Sequence, residues 1–256
     1  MVKAADRAKD PARSSVWLET RAARSGGGPA GLDRDRIVAA SIRMLDEEGL
    51  AKLSMRKLAT ELGVTAMSLY WYVDTKDDII EYAVDTVYGE VDLAAVDAAG
   101  DWRERIRVLA LEYRRMLVRH AWMSPSAGQY LNIGPNAVAV GEKIHQAIRE
   151  TGLSLERQPS AMSAVFQFVY GYGTIESQFG RRAAEAGMSQ DEFYGDAVKA
   201  FRDDPEFGAQ IEGMKEILDE RASHGSVSAI WDRDFAYALD ILVAGIEAMV
   251  SRETEK

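Results

Sequence analysis

The stretch Leu53-Ser-Met-Arg-Lys-Leu-Ala-Thr-Glu-Leu-Gly-Val-Thr-Ala-Met-Ser-Leu-Tyr-Trp-Tyr-Val73 constrains the fold of this chain more than any other. Leu58, Ala59 and Leu62 recur at helical spacing behind Ser54, a residue type suited to cap a helix N-terminus. Gly63 can take the left-handed conformation that stops a helix without a Cβ penalty. Val64 can then fill the corner and Thr65 cap a second short helix, with Leu69 and Val73 toward the core. Thr65, Ala66, Met67, Ser68, Tyr70 and Tyr72 are left facing outward. This is the physical form of a helix-turn-helix, whose second helix lies in the major groove with its first residues against base edges. Small side chains there let the backbone approach, and Thr, Ala or Met can touch thymine methyls. Tyr70, Tyr72 and Lys76 suit phosphates, which position the helix without reading sequence.

The flanks complete a small head. Upstream, Ile37, Ala40, Met44 and Leu45 form an amphipathic face opened by Asp33 and closed by Gly49. Downstream, Thr75-Lys-Asp-Asp78 has the capping-box pattern and leads into Ile79, Ile80, Ala83 and Val87. On these residues the chain resembles the TetR family of bacterial repressors. The segment Gly63-Val-Thr-x-x-Ser-Leu-Tyr-x-Tyr-Val-x-Thr-Lys76, preceded by Leu53-Ser-x-Arg-Lys-Leu-Ala59, carries the likeness over about residues 33–80. Its Leu-Tyr-Trp-Tyr-Val form looks closest to the tetracycline-repressor branch. A weaker likeness continues from Trp102 to Glu176 and into the last helix. The resemblance implies an all-helical homodimer whose larger domain binds a small molecule and thereby lowers operator affinity. By position it implies base contact by Arg56, phosphate contacts by Ser54, Tyr70, Tyr72 and Lys76, and base reading by Ala66, Met67 and Ser68.

Charge needs its distribution before it bears on DNA. The net charge is −10. Residues 1–31 hold six Lys/Arg against three Asp/Glu, and residues 32–80 hold seven against nine, so the acidity lies almost wholly beyond residue 80. A head that is not basic neutralises few phosphates and has modest non-specific affinity, which a dimer reading two half-sites can offset. There is no cysteine, which excludes a disulfide scaffold and a thiolate metal site and fits a reducing cytoplasm. No apolar N-terminal stretch reads as a signal peptide, and Asp240 and Glu247 interrupt the apolar run 236–250, so no membrane span is expected.

The expected organisation is a disordered arm over residues 1–31, a helix-turn-helix head over 32–80, and a helical effector-binding and dimerisation domain over 81–256. In the arm, Val16-Trp-Leu18 is the one apolar cluster, and Arg21 and Arg24 suit a minor-groove contact. Residues 92–100 read as a small-residue loop. Helices are expected from Asp101-Trp-Arg-Glu104 through Leu117, from Gly134-Pro135 to Gly152, and over about 159–185, with a break at 124–128. Residues 187–230 read as polar, acidic and mobile despite a capping box at Ser189-Gln-Asp-Glu192, and Asp232 or Asp234 opens the last helix. Nothing alternates as a strand does. The fold class is all-α.

Catalysis finds no support. His120, His145 and His224 have no metal-ligand spacing, and no nucleophile elbow or phosphate loop follows a strand. A ligand pocket finds support by residue type: Trp102, Leu109, Tyr113, Tyr130, Ile144, Phe166, Tyr170 and Tyr172 offer an apolar and aromatic lining with polar tips. Gln167 and Glu176 place polar groups on an otherwise apolar helix, where they need a partner or a ligand. Glu176 also resembles an acidic pocket residue of the tetracycline repressor. The position resembling that repressor's metal-binding histidine holds Tyr130, so no cofactor or metal is expected, and the effector is expected to be metal-free and largely apolar or aromatic. The expected partners are double-stranded DNA with a palindromic operator, a small-molecule effector and a second copy of the chain. An effector-independent DNA-binding protein, or a helical ligand-binding protein or enzyme whose head only packs, are the alternatives.

Overall fold

The structure is a computed structural model that describes residues 15–18, 31–204, 213, 216, 220 and 225–254. All the regular elements among them are helical. The first six are α1 (Arg34–Glu48), α2 (Met55–Glu61), α3 (Ala66–Leu69), α4 (Lys76–Tyr88), α5 (Leu93–Ala98) and α6 (Trp102–Arg119). Then come α7 (Met123–Ser126), α8 (Pro135–Arg149), α9 (Gln158–Glu185), α10 (Gln190–Asp203) and α11 (Val227–Thr254). Packing divides the chain into two compact units, one ending at Glu150 and the other beginning at Thr151. Among the described residues no helix is long and apolar enough to cross a membrane.

In the first unit, Asp33 opens α1 by accepting the Arg36 N–H at 2.7 Å, and Gly49 closes it at φ 79°. α1 buries Ile37, Val38, Ala40, Met44 and Leu45 against α2 and α4. α4 starts behind Thr75, whose hydroxyl accepts from the Asp78 N–H at 3.1 Å, and also packs on α8. The expected division at 80/81 is therefore not a break in packing: it falls inside α4, whose Ile79, Ile80, Ala83 and Val87 are all buried.

Two polar joints tie α4 and its neighbours together. At the α8 joint, buried Asp85 accepts from the Ala137 N–H at 3.0 Å and from the Asn136 amide at 3.2 Å, holding the α8 N-terminus. Gly134 makes room for it, since a Cβ there would lie 2.2 Å from Asp85 Oδ1. At the other joint, buried His120 places Nδ1 2.7 Å from Asp46 of α1 and Nε2 3.1 Å from Glu90, just past α4. Trp122 donates to the same Asp46 oxygen at 2.8 Å, and Arg119 pairs with Glu90 at 2.8 Å. Burial pulls the His120 imidazole down, but its bonds to the two carboxylates and their charges outweigh this and hold its pKa above the ordinary value.

The second unit packs α9, α10 and α11 on one another. Its core is aromatic: Phe168 stacks on Phe235 at 5.5 Å, and Tyr172 meets Trp231 and Phe235 edge-on at 5.3 and 5.2 Å. Ser189 and Glu192 form a complete capping box at the start of α10.

Several expectations need correction. Residues 92–100 are not a loop, because Asp92 caps the Ala95 N–H at 3.0 Å and starts α5. The break at 124–128 holds the single turn α7. The last helix begins at Val227, several residues before Asp232, with Ser226 Oγ accepting the Ala229 N–H and Asp191 accepting the Val227 N–H. The arm is not wholly a free tail, since Ser15 and Val16 are buried. Arg21, Arg24 and His224 lie outside the described residues, as does most of 205–224.

Candidate nucleic-acid interface

The corner between α2 and α3 is closed by main-chain geometry. Gly63 sits at φ 67°; its N–H donates to Thr60 O at 3.1 Å and the Val64 N–H to Ala59 O at 2.9 Å. That pair of bonds is the Schellman ending, which consumes carbonyls that α2 would leave unpaired. Thr65 then starts α3, its hydroxyl accepting from the Ser68 N–H at 3.3 Å and meeting Ser68 Oγ at 3.0 Å. Leu69 and Val73 are buried, as are Leu58 and Ala59 of α2, and α3 packs on α2.

The outward surface is a result of that anchoring. Arg56, Thr65 and Met67 are exposed, Met67 at 71 %, while Ala66, Ser68, Tyr70 and Lys76 are half-buried. Ser54 is exposed, and its oxygen accepts the Lys57 N–H at 3.3 Å, which leaves its hydroxyl proton to donate. Lys57, which lies on the same short helix, forms an ion pair with Glu48 within the head. Arg56, by contrast, projects without a described ion pair. Tyr72 departs from its expected role: its hydroxyl donates to Leu32 O at 2.5 Å, so its one proton holds the entry to α1 instead of a phosphate. Trp71 is half exposed and lies four residues after Met67, a spacing that in the sequence marks it as a further outward-facing side chain.

The expected pocket residues fall in both units. Trp102 and Leu109 of α6 are buried, and Tyr113 and Ile144 half-buried, where α6 packs on α8 in the first unit. Tyr130 donates to Asp77 at 3.3 Å; burial, and then the charges of Asp77 and Glu81, push its phenol well above the ordinary tyrosine range. A neutral phenol held by a carboxylate is a poor ligand for a hard cation, so the residues at this position do not fit a magnesium-chelated molecule. Among the described residues no group of three or more His, Cys, Asp or Glu could hold a metal ion. In the second unit, Phe166, Tyr170 and Glu176 are half-buried on α9. Tyr172 donates to Trp231 O at 2.8 Å and belongs to the aromatic core. Gln167 is exposed, so the argument that its amide needs a buried partner does not apply to it.

The model for bacterial regulatory proteins of the tetR family matches residues 37–83, and the tetracyclin repressor-like C-terminal domain matches residues 95–250. An HTH-type transcriptional regulator of Saccharopolyspora erythraea is 40 % identical over 156 residues, 61 % of this chain and 65 % of the relative. The repressor DrrR1 of Streptomyces coeruleorubidus is 34 % identical over 183 residues, 70 % of this chain and 66 % of the relative. The chain thus spans just under two thirds of the length of these two relatives. Among solved structures, apo ActR from Streptomyces coelicolor aligns with a TM-score of 0.64 at 26 % identity, over 88 % of this chain and all of that one. ActR in complex with actinorhodin aligns at 0.63, also at 26 % identity, over 86 % of this chain and 99 % of that one. These relatives are named as transcriptional regulators or repressors, not enzymes. The described fold is all-helical with a helix-turn-helix at its N-terminal end, and the two matched models cover the head and most of the chain beyond it. The chain belongs to the TetR family of bacterial regulatory proteins.

Proposed function

We propose that this chain is a ligand-responsive repressor that binds a palindromic operator as a homodimer and is released by a small, largely apolar or aromatic effector. The observation that carries the reading is the capped single turn α3, anchored by Leu69 and Val73 and presenting Met67, Thr65 and the neighbouring Arg56 to solvent. Arg56 and the strip Thr65–Ser68 read bases, and Ser54, Tyr70 and Lys76 hold phosphates. A second copy is supported by apolar side chains left exposed in the second unit: Ile175 of α9 at 61 %, and Tyr237 and Ile241 of α11 at 66 % and 72 %. Such self-complementary faces pair through a two-fold axis, and a two-fold protein reads a palindrome.

Effector response supplies the switch. The acidic body stays off the duplex, and the effector favours a head spacing that no longer fits successive major grooves. Moving the population from mostly bound to mostly free takes a differential affinity of about 5 kcal/mol between the two arrangements. Each unit offers its own candidate ligand contacts: Trp102, Leu109, Tyr113, Tyr130 and Ile144 in the first, and Phe166, Tyr170 and Glu176 in the second. The ActR complex makes actinorhodin the first probe to try.

The test is selection of DNA from a random pool by the purified full chain, and then release with actinorhodin and a set of aromatic metabolites. A two-fold-symmetric site that Arg56→Ala no longer retains supports the proposal. Equal retention by both chains of sequences without symmetry overturns it. Retention that no compound in the set reverses favours the effector-independent alternative.

A further inference from the structure

The segment Ser15–Leu18 lies upstream of the head, yet it is packed into the first unit. Ser15 Oγ donates to Glu81 Oε2 at 2.5 Å, and the Val16 N–H donates to the same oxygen at 3.1 Å. The turn is closed by the Leu18 N–H on Ser15 O at 3.2 Å. The Trp17 ring meets the Tyr82 ring edge-on at 5.1 Å, and Arg34 of α1 lies over that same Tyr82 ring at 4.7 Å. Trp17 also lines a shallow surface notch with Glu81, Asp85, Tyr130 and Gly134.

The place where this segment docks gives it meaning. Glu81 is a buried carboxylate, and a buried charge without hydrogen-bond donors is strongly unfavourable. It stands midway along α4, the helix that runs from the head into the rest of the first unit. Three residues before it, Asp78 holds the Asp74 N–H at 2.9 Å, directly after the α3 corner. Four residues after it, Asp85 holds the α8 N-terminus. We infer that Ser15–Leu18 is an intramolecular latch: its hydroxyl, its main-chain N–H and its indole fix α4, and with it the head, in one orientation. This rests on the DNA-binding reading for its consequence, though not for the docking itself. A head free to sample several orientations binds with its intrinsic affinity reduced to the competent fraction, so the latch raises apparent operator affinity.

Two measurements on the full chain test this. Hydrogen exchange monitored by mass spectrometry reads the latch without DNA: Trp17→Ala and Ser15→Ala should each speed exchange across Ile79–Val87 on the order of tenfold. Leu18→Ala, at a half-exposed site, should change it little. Glu81→Gln should act like Trp17→Ala, and combining the two should do no more than either alone. Unchanged α4 exchange in Trp17→Ala, with helicity intact, overturns the latch. The second measurement is operator affinity against salt. Ser15, Val16 and Trp17 carry no charge, so Trp17→Ala should weaken binding about fivefold at every salt concentration and leave the slope unchanged. A shallower slope with α4 exchange unaltered would mean that the segment serves DNA contacts, and overturns the latch. If the unaltered chain retains no DNA at all, the repressor reading fails, and exchange alone decides the docking.

Discussion

Substituting Gly134 by alanine tests the α4–α8 joint at its tightest point. The added Cβ would stand 2.2 Å from Asp85 Oδ1, 2.4 Å from Cγ and 2.8 Å from Cβ. Contact with Cβ matters, because rotating the carboxylate away cannot relieve it; the whole side chain or the α8 N-terminus has to move. Gly134 has φ −65° and ψ 161°, which any residue adopts, so no backbone strain enters. Were there space, the change would stabilise the chain by about 0.4–1 kcal/mol through the unfolded state. Instead it must break the Asp85 bonds to the Ala137 N–H and the Asn136 amide. Two hydrogen bonds to a charged group are together worth roughly 3–5 kcal/mol. For a chain of this length that corresponds to a melting temperature lower by about 10 °C. Calorimetry on Gly134→Ala, Asp85→Ala and the double variant is the assay. Asp85→Ala removes the obstructing side chain, so the double variant should melt close to Asp85→Ala alone. A Gly134→Ala chain as stable as the unaltered one, or additive losses in the double variant, would refute the steric reasoning.

The same structure sets further outcomes. His120 has a raised folded pKa, so the stability it contributes is fully present below the unfolded value of about 6.5 and is lost as pH rises through the folded value. The melting difference between the unaltered chain and His120→Gln should therefore shrink from pH 6 toward pH 9. Tyr72→Phe should cost about 1 kcal/mol of stability, from the lost bond to Leu32 O, and leave the salt dependence of DNA binding unchanged. A slope lower by about one unit would restore the phosphate role instead. Ile241→Arg puts a charge on an exposed apolar face and should turn a dimer into a monomer in sedimentation; an unaltered sedimentation coefficient would place the interface elsewhere. Trp231 has a buried indole N–H with no hydrogen-bond partner among the described residues, so Trp231→Phe should change stability by less than about 1 kcal/mol, while Trp231→Ala should lose about 3–5 kcal/mol.

The parts of this fold that were legible in the sequence are those fixed by neighbours a few residues away. Asp33 and Gly49 bounding α1, Gly63 at the corner, and the capping box at Ser189 all act within one helical turn, and the pattern of residue types reveals them. Short elements were not legible. α5 is six residues of small side chains with little periodicity, and α7 is a single turn containing proline. The start of α11 is set from outside the helix by Asp191, 36 residues away, which no local pattern announces. The same holds for Tyr72, whose hydroxyl is taken by a carbonyl 40 residues upstream, and for Glu81, which accepts from Ser15 and Val16, 66 and 65 residues earlier. Aromatic residue types pointed toward a pocket, but type alone could not separate Tyr172, committed to packing with Trp231 and Phe235, from a residue available to a ligand.

The way α3 is held has a consequence for how such proteins diversify. Everything that keeps the turn folded comes from below or from its ends: Leu69, Val73, the Thr65 cap and the Gly63 corner. Met67, the most solvent-bathed large apolar side chain on that turn, contributes nothing to this support. Under the base-reading role proposed for this turn, replacing Met67 would alter which sequence is addressed while the scaffold stays as it was, so a duplicated copy could acquire new targets through a handful of surface changes.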